Sequence, residues 1–534
     1  MKTRLFFRKK TVGARAASRL VRVGAGAVTL LGAGIAIAIV GQNDLQRVDA
    51  VHDRAFTARS DQITIRGSDF DEVFEAGDEF FDTAFNALDG GGANVGRGQR
   101  FTRVPRADLR GPGEWFNHLP ARATGPNAAA CTDCHREPGD GAGPAGSNVH
   151  RDPLRNGNVG QFIQRNTPHL FGGGAVQVLA EEMTESLQAD RDEARQQACS
   201  RGTSTEQLSA KGISFGSITA TRTSQFPCRV TFKTSDVVGV DADLVVRPFQ
   251  WKGSVATVRD FVRGASHNEL GVTPDELLAN PNADSDGDGV ANEATVGDMT
   301  ALAVYIAAQP RPTTLAELSS LGLLETPLTS QQIAAITRGS AVFNSSSAGC
   351  ARCHVPTLTV NDPVFFEPSQ NPSYRDATFP GGGNPIAAGL DPEFPNQFNF
   401  TTDLPDNPTP VANGQTLGNF TRNSQGRAIV QLFGDLKRHD MGSRLAESVD
   451  EVGTGAGTFL TENLWGVGST APYMHDGRAT TLAEAILEHG GEAQNSANFF
   501  RAAADANRNN PSDTRAPDLI AALENLVLFF QDEE

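Results

Sequence analysis

Two five-residue stretches carry the residue types and spacing most suited to chemistry: CTDCH, from Cys131 to His135, and CARCH, from Cys350 to His354. A Cys-x-x-Cys followed directly by histidine admits a disulfide, half of a zinc site or a covalent haem anchor. Zinc needs two further Cys or His ligands close by. A thioredoxin-like dithiol needs a βαβ setting and has no use for the histidine. Haem attachment uses all three residues: the thiols add to the two vinyl groups, and the histidine offers a neutral imidazole beneath the iron. The pattern therefore predicts two covalently bound haem c groups. Cys131, Cys134, Cys350 and Cys353 would hold them, with His135 and His354 as proximal ligands.

The other two cysteines, Cys199 and Cys228, lie between the motifs. In an oxidising compartment they would pair, and an unstrained bridge could add ~3 kcal/mol. The N-terminus fits such a compartment. MKTRLFFRKKTVGARAASRLVR carries eight Lys/Arg and no acid, and the apolar VGAGAVTLLGAGIAIAIV follows, with Ala36-Ile37-Ala38 as a cleavage site. Residues 1–40 read as a signal peptide or an N-terminal membrane anchor, the apolar run being at the lower edge of a bilayer span. The expected location is periplasmic or otherwise exported. The net charge of −17 would fall to about −25 after cleavage. That charge predicts no nucleic-acid partner and favours a basic protein partner.

The chain must position two such sites. At 534 residues it is too long for one ordinary core. Gly 55 and Pro 29 indicate many loops. Residues 41–65 read as a linker. Helices are expected over FDEVFEAGDEFFDTAFNAL before the first motif, after RNTPHLFGGG, in TVGDMTALAVYIAAQ, in LTSQQIAAITRGSAVF before the second motif, and in TTLAEAILEHGG and APDLIAALENLVLFFQ. ISFGSITATR, CRVTFKTS and DLVVRPFQW alternate like short strands. The expected fold is mainly α: two cytochrome c-like haem domains, 66–312 and 313–534, with a small disulfide-pinned β insertion at about 199–248. DSDGDGVANEAT forms an acidic loop over 284–295, where Asp284, Asp286 and Asp288 match the first half of a calcium loop. Thr295 stands where a bidentate acid is expected, so Glu293 or Asp298 would have to substitute.

Beyond the motifs, the blocks RNTPHLFG, PFQWKGSVATVRDFVRGASHNELGVT, DGDGVANEATVGDMTAL, LKRHDMGSRLAE and NLWGVGSTAPYMHDGRATTLAEAILEHGGEA resemble the bacterial di-haem cytochrome c peroxidase superfamily. Within it the sequence is most similar to the di-haem oxidoreductase (thiol-oxidoreductase-like) family. The resemblance implies that Trp251 lies between the two haems and couples them, and that Glu269 is a distal-pocket carboxylate able to shuttle a proton during O–O cleavage. His489 stands where the peroxidases carry a methionine ligand. The second haem is therefore expected to be bis-histidine, His354 with His489, and lower in potential; Met441 is the fallback ligand. His150 matches the place of a removable distal histidine on the first haem. His475 and Arg478 are expected near the second haem. His52, His118, His169 and His267 receive no role.

The expected activity is a peroxidase-like oxidoreductase acting on peroxide or dioxygen at the first haem. The second haem would exchange electrons with an external donor or acceptor, such as a small cytochrome or cupredoxin. The alternatives are a pure electron-transfer cytochrome and a di-haem oxygenase acting on an organic substrate.

Overall fold

Two helix pairs, each crossing at a glycine, frame the two motifs. The helix Phe70–Asp82 starts at Asp69, whose carboxylate accepts from Glu72 N at 2.8 Å. It buries Val73, Phe74, Gly77, Phe80 and Phe81, one face at helical spacing. That face lies on the helix Val296–Ala307, which a Thr295/Asp298 capping box opens and which is buried from Gly297 to its end. A side chain at Gly77 would collide with the Ala301 carbonyl and with Tyr305. In the second pair, Ser330–Phe343 packs on Arg515–Glu524. A side chain at Gly339 would collide with the Asp518 carbonyl. Arg338 locks this crossing through a two-pronged pair to Asp518, both contacts at 2.8 Å.

The parallel extends to the motifs. Four residues after each glycine stands a phenylalanine that meets the motif histidine: Phe81 to His135 at 6.4 Å between ring centres, and Phe343 to His354 at 6.5 Å. Gly77→Val is therefore expected to cost at least 1–3 kcal/mol by overpacking; a chemical denaturation midpoint left unchanged would refute the close crossing.

This structure is a computed structural model that describes residues 62–95, 98–106, 108–109, 117–137, 143–146, 148–404, 410–411 and 415–527. The signal or anchor and nearly all of the linker lie outside them. Among the described residues no helix is long and apolar enough to cross a membrane.

The expectation of a mainly α fold is not met: among the described residues 33% are helical and 16% are strand. Apart from one three-stranded sheet, the strands among the described residues form two-stranded pairs, mostly two to four residues long. Such strands are too short to show the alternation by which sequence betrays a strand, whereas the helices advertise themselves over a dozen residues.

The three-stranded sheet runs Thr203–Ala210, Ile213–Gln225, Cys228–Lys233, antiparallel throughout. It follows the long helix Gly173–Arg201 and buries Leu208, Ala210, Phe215, Ile218 and Ala220. A disulfide joins Cys199 near the helix end to Cys228 at the start of the last strand. DLVVRPFQW, expected as a strand, is turn and extended chain with one bridge, Phe249 to Val255. Its Arg247 and Pro248 interrupt the apolar alternation.

Candidate functional site

The first motif opens in a tight turn, Cys131–Asp133, closed by Cys134 N donating to Cys131 O at 3.1 Å. Asp133 fixes the approach by accepting from the Ala129 and Ala130 amides. The thiols are not bridged to each other. Burial, with Cys134 alongside, pushes the Cys131 thiol up to about 12. His135 begins a short strand with Pro144 as its partner. Burial, and then the neighbouring His169, lower His135 to about 4, and the Pro168 carbonyl faces its ring. The imidazole is thus neutral, the form that binds a metal.

Glu269 sits in a single π-type turn, Ser266–Leu270, that continues the helix Val258–Ala265. Such turns recur at functional sites because they re-aim one side chain. Its backbone carbonyl accepts from Asn127 N at 2.8 Å and Ala128 N at 3.2 Å. Its carboxyl accepts from the Asn127 side chain. Those residues lead straight into Cys131, so the glutamate is fastened to the first motif's own chain. The side chain is 30% exposed to a water-sized probe, yet desolvation raises its pKa against the opposing pull of Arg151.

The second motif repeats the turn, with Cys353 N and His354 N both donating to Cys350 O, at 3.3 and 3.0 Å. His354 and His489 face one another, with ring centres 6.3 Å apart at 61°. Two imidazoles sharing one metal ion, each bonded at roughly 2.0–2.1 Å, would place their ring centres at about this separation. Each ring has its Nδ1 beside a backbone carbonyl: Phe433 O at 3.1 Å for His354 and Ala485 O at 2.8 Å for His489. This fixes Nδ1–H as the donor and leaves Nε2 with a free lone pair. Burial lowers both pKa values, His354 to about 4. The helix Leu482–Glu488, opened by a Thr481/Glu484 capping box, presents His489 as its C-terminal cap.

The cavity around this pair encloses about 250 Å³, just below the ~300–1,000 Å³ of ordinary ligand pockets. Both thiols of the motif, Trp251, Phe459, Trp465 and His475 line it. An apolar-walled space with two thiols and two opposed neutral imidazoles fits a haem held by Cys350, Cys353, His354 and His489. Pro144, the strand partner of His135, also lines this cavity, so the two motif regions adjoin.

Trp251 stands at that junction. Its indole N–H donates to Asn166 O at 2.9 Å, and its own carbonyl accepts from Leu460 N at 2.9 Å. Asn166 N in turn donates to His475 O at 2.7 Å. His475 is stacked on Phe459 at 4.2 Å and is edge-on to Trp251 at 6.5 Å. Its pKa falls to about 3, mainly by burial. Arg478 pairs with Asp476 and donates to Arg444 O at 2.7 Å, partly in solvent. Met441 lines the second cavity too. His150 Nε2 lies 3.0 Å from the Gln164 amide nitrogen on the neighbouring strand.

Three cavity-wall features received no role from the sequence. His439 is clamped between Asp435 at 2.8 Å and Glu492 at 2.9 Å; burial opposes its charge, but Asp435 and then Cys353 hold it up at about 11. His169 contacts Asn463 at 2.5 Å. Glu462 lines the large cavity and a smaller one beneath Phe249 and Phe261. Among the described residues it has no partner, and desolvation alone lifts it from 4.5 to about 7. A carboxyl raised in the folded state stabilises fully below about pH 4.5 and loses that contribution as pH rises through about 7. Glu462→Gln is expected to flatten this loss in thermal melts between about pH 5 and 8; an unchanged slope would contradict it.

In the acidic loop, carboxylate oxygens of Asp284, Asp286 and Asp288 lie within 4.8 Å of one another. Of the two candidates to complete the set, Asp298 is spent on the helix cap. Glu293 is buried near Asp286 and Asp288, whose charges add to desolvation in raising its pKa. Desolvation and Asp286 likewise lift Asp288 to about 6. Asp286 also meets His118 at 3.0 Å.

No curated protein matches the chain. Residues 403–512, which carry Met441, His475, Arg478 and His489, match the family model described as "Di-haem oxidoreductase, putative peroxidase", and this match supports placing the chain in a di-haem oxidoreductase family.

Proposed function

We propose that this protein is an exported di-haem c-type oxidoreductase that activates peroxide or dioxygen at the site of His135 and moves electrons through the site of His354 and His489. The observation that carries this reading is Glu269: a desolvated carboxyl tied through Asn127 to the first motif. Bound haem would supply the redox chemistry, with Cys131, Cys134, Cys350 and Cys353 as covalent anchors. His135 offers a neutral imidazole. Glu269 accepts a proton from the near oxygen of the substrate and returns it to the far one. His354 and His489 grip their site from both sides, and their carbonyl partners hold the rings in the ligating tautomer. Trp251, fixed at both ends by backbone bonds, provides the aromatic contact between the sites. The two parallel glycine-crossed helix pairs support reading the chain as two haem-binding halves, near 66–312 and 313–534. The basic, then apolar N-terminus supports export or anchoring. The acidic chain suits a basic electron-carrying partner, a small cytochrome or cupredoxin.

Low-temperature electron paramagnetic resonance of the oxidised, haem-loaded protein tests this reading. A high-spin signal beside a low-spin one supports it. Two low-spin signals that persist after one-electron reduction would sink it in favour of an electron-transfer cytochrome.

The proposal includes calcium in the acidic loop, held by Asp284, Asp286 and Asp288 with help from Glu293. A cation would relieve the mutual repulsion that raises Asp288 and Glu293. Added calcium is expected to raise the melting temperature, more above about pH 6 than below. No rise, or one that survives Asp284→Ala with Asp288→Ala, would exclude the site.

A further inference from the structure

A row of alternating charges runs from Glu269 to the wall of the second cavity. Arg151 lies 3.7 Å from Glu269 and donates to Glu451 at 2.8 Å. Arg165 donates to the other oxygen of Glu451 at 2.6 Å and pairs with Glu447. Glu447 then meets Lys252 at 3.4 Å and the cavity-lining His475 at 3.8 Å. Lys252 is only 1% exposed and Glu447 3%; Lys252 also donates to the carbonyls of Gly455, Ala456 and Thr458, each at 3.0 Å. Ion pairs this buried bring little stability, because desolvating each charge costs several kcal/mol. Their continuity between two reactive regions calls for another explanation.

The distances within the row are uneven. Arg151 holds Glu451 tightly and Glu269 loosely, so its charge is divided between two carboxyls. The charged groups facing Glu269 are Arg151, from the strand Asn148–Arg151, and Glu451, with Asn127 as a neutral donor. His150 on that strand is engaged by Gln164. Glu451 therefore acts on Glu269 twice: directly as a like charge, and indirectly by drawing Arg151 away.

We propose that Arg151 and Glu451 are positioning residues that decide whether Glu269 holds a proton, and that the row ties this decision to the charge on the wall of the second site. The inference rests on the reading of Glu269 as the proton-handling group. Arg151 shields a carboxylate at Glu269, and Glu451, anchored by Arg165, limits how far it can do so.

The two residues act with opposite sign, which makes the test selective. In the haem-loaded ferric protein, the midpoint of the pH-dependent optical transition of the first site would be followed beside the infrared band of a protonated carboxyl. Glu269→Gln identifies which band and transition belong to this residue. Glu451→Gln is expected to move the midpoint down by about one pH unit, and Arg151→Gln to move it up by a similar amount. Arg151→Lys keeps the charge and should restore the midpoint, which separates the effect from misfolding. If the transition disappears in Glu269→Gln but stays fixed, or shifts in the same direction, in the other two variants, the inference fails and the role of Glu269 stands. A transition that persists in Glu269→Gln overturns both.

Discussion

Turnover with peroxide is expected to fall by about 10²–10⁴ in Glu269→Gln, the range a positioned acid–base group contributes. Glutamine keeps the volume of the side chain and can still contact Asn127, so the π-type turn and the Cys131 approach should survive. What it loses is the ability to take a proton from one oxygen and give it to the next. Absorption of both sites should stay close to the parent's, and the loss should appear in turnover rather than in substrate affinity. The pH profile adds a second signature. Desolvation raises Glu269 above the ordinary carboxylate range, and the first transfer needs the ionised form. Parent activity should therefore fall as pH drops through a limb displaced upward, and that limb should vanish in the variant. A variant with near-parent turnover would remove Glu269 from the reaction.

Replacing His489 by methionine is expected to raise the potential of the second site by on the order of 0.1 V, within the ~0.8 V that axial ligands command. The imidazole it replaces is well prepared. Its Nδ1 is fixed by the Ala485 carbonyl, its charge is suppressed by burial, and its ring stands 6.3 Å from that of His354. Thioether sulfur is a weaker donor than imidazole and favours the reduced ion. Potentiometry gives the shift, and the low-spin resonance should change shape without disappearing. An unmoved potential would mean that His489 is not a ligand. Met441, on the same cavity wall, would then be the group to replace next.

How much of this was legible follows from how local each signal is. The motif turns could be approached from sequence because a cysteine pattern is a short-range feature, whereas the pairing of His489 with His354 was reached only through the family resemblance. The long amphipathic helices were visible for the same reason as the motif turns. The minimal strands were not, since a strand of two or three residues has no period to detect. Neither was the cavity wall. Arg151, Arg165, Glu447 and Glu451 look like ordinary surface charges along the chain, and Glu462 like an exposed acid. Only the meeting of distant segments makes them interior. The Gly-x-x-x-Phe that precedes both motifs, Gly77 to Phe81 and Gly339 to Phe343, was in plain view. Its meaning depended on a partner helix far downstream in each half.

That repeated helix turn has a mechanical consequence. The glycine allows no gap at the crossing, and one turn later the phenylalanine bears on the motif imidazole. The two residues share a rigid lever, so a displacement at the fulcrum reaches the ring nearly undiminished. A methyl group added at Gly77 or Gly339 would not stay a matter of fit in the core. In the haem-loaded protein proposed above it would tilt the motif imidazole, and each half would then register the strain as a change of colour before it registered it as a loss of shape.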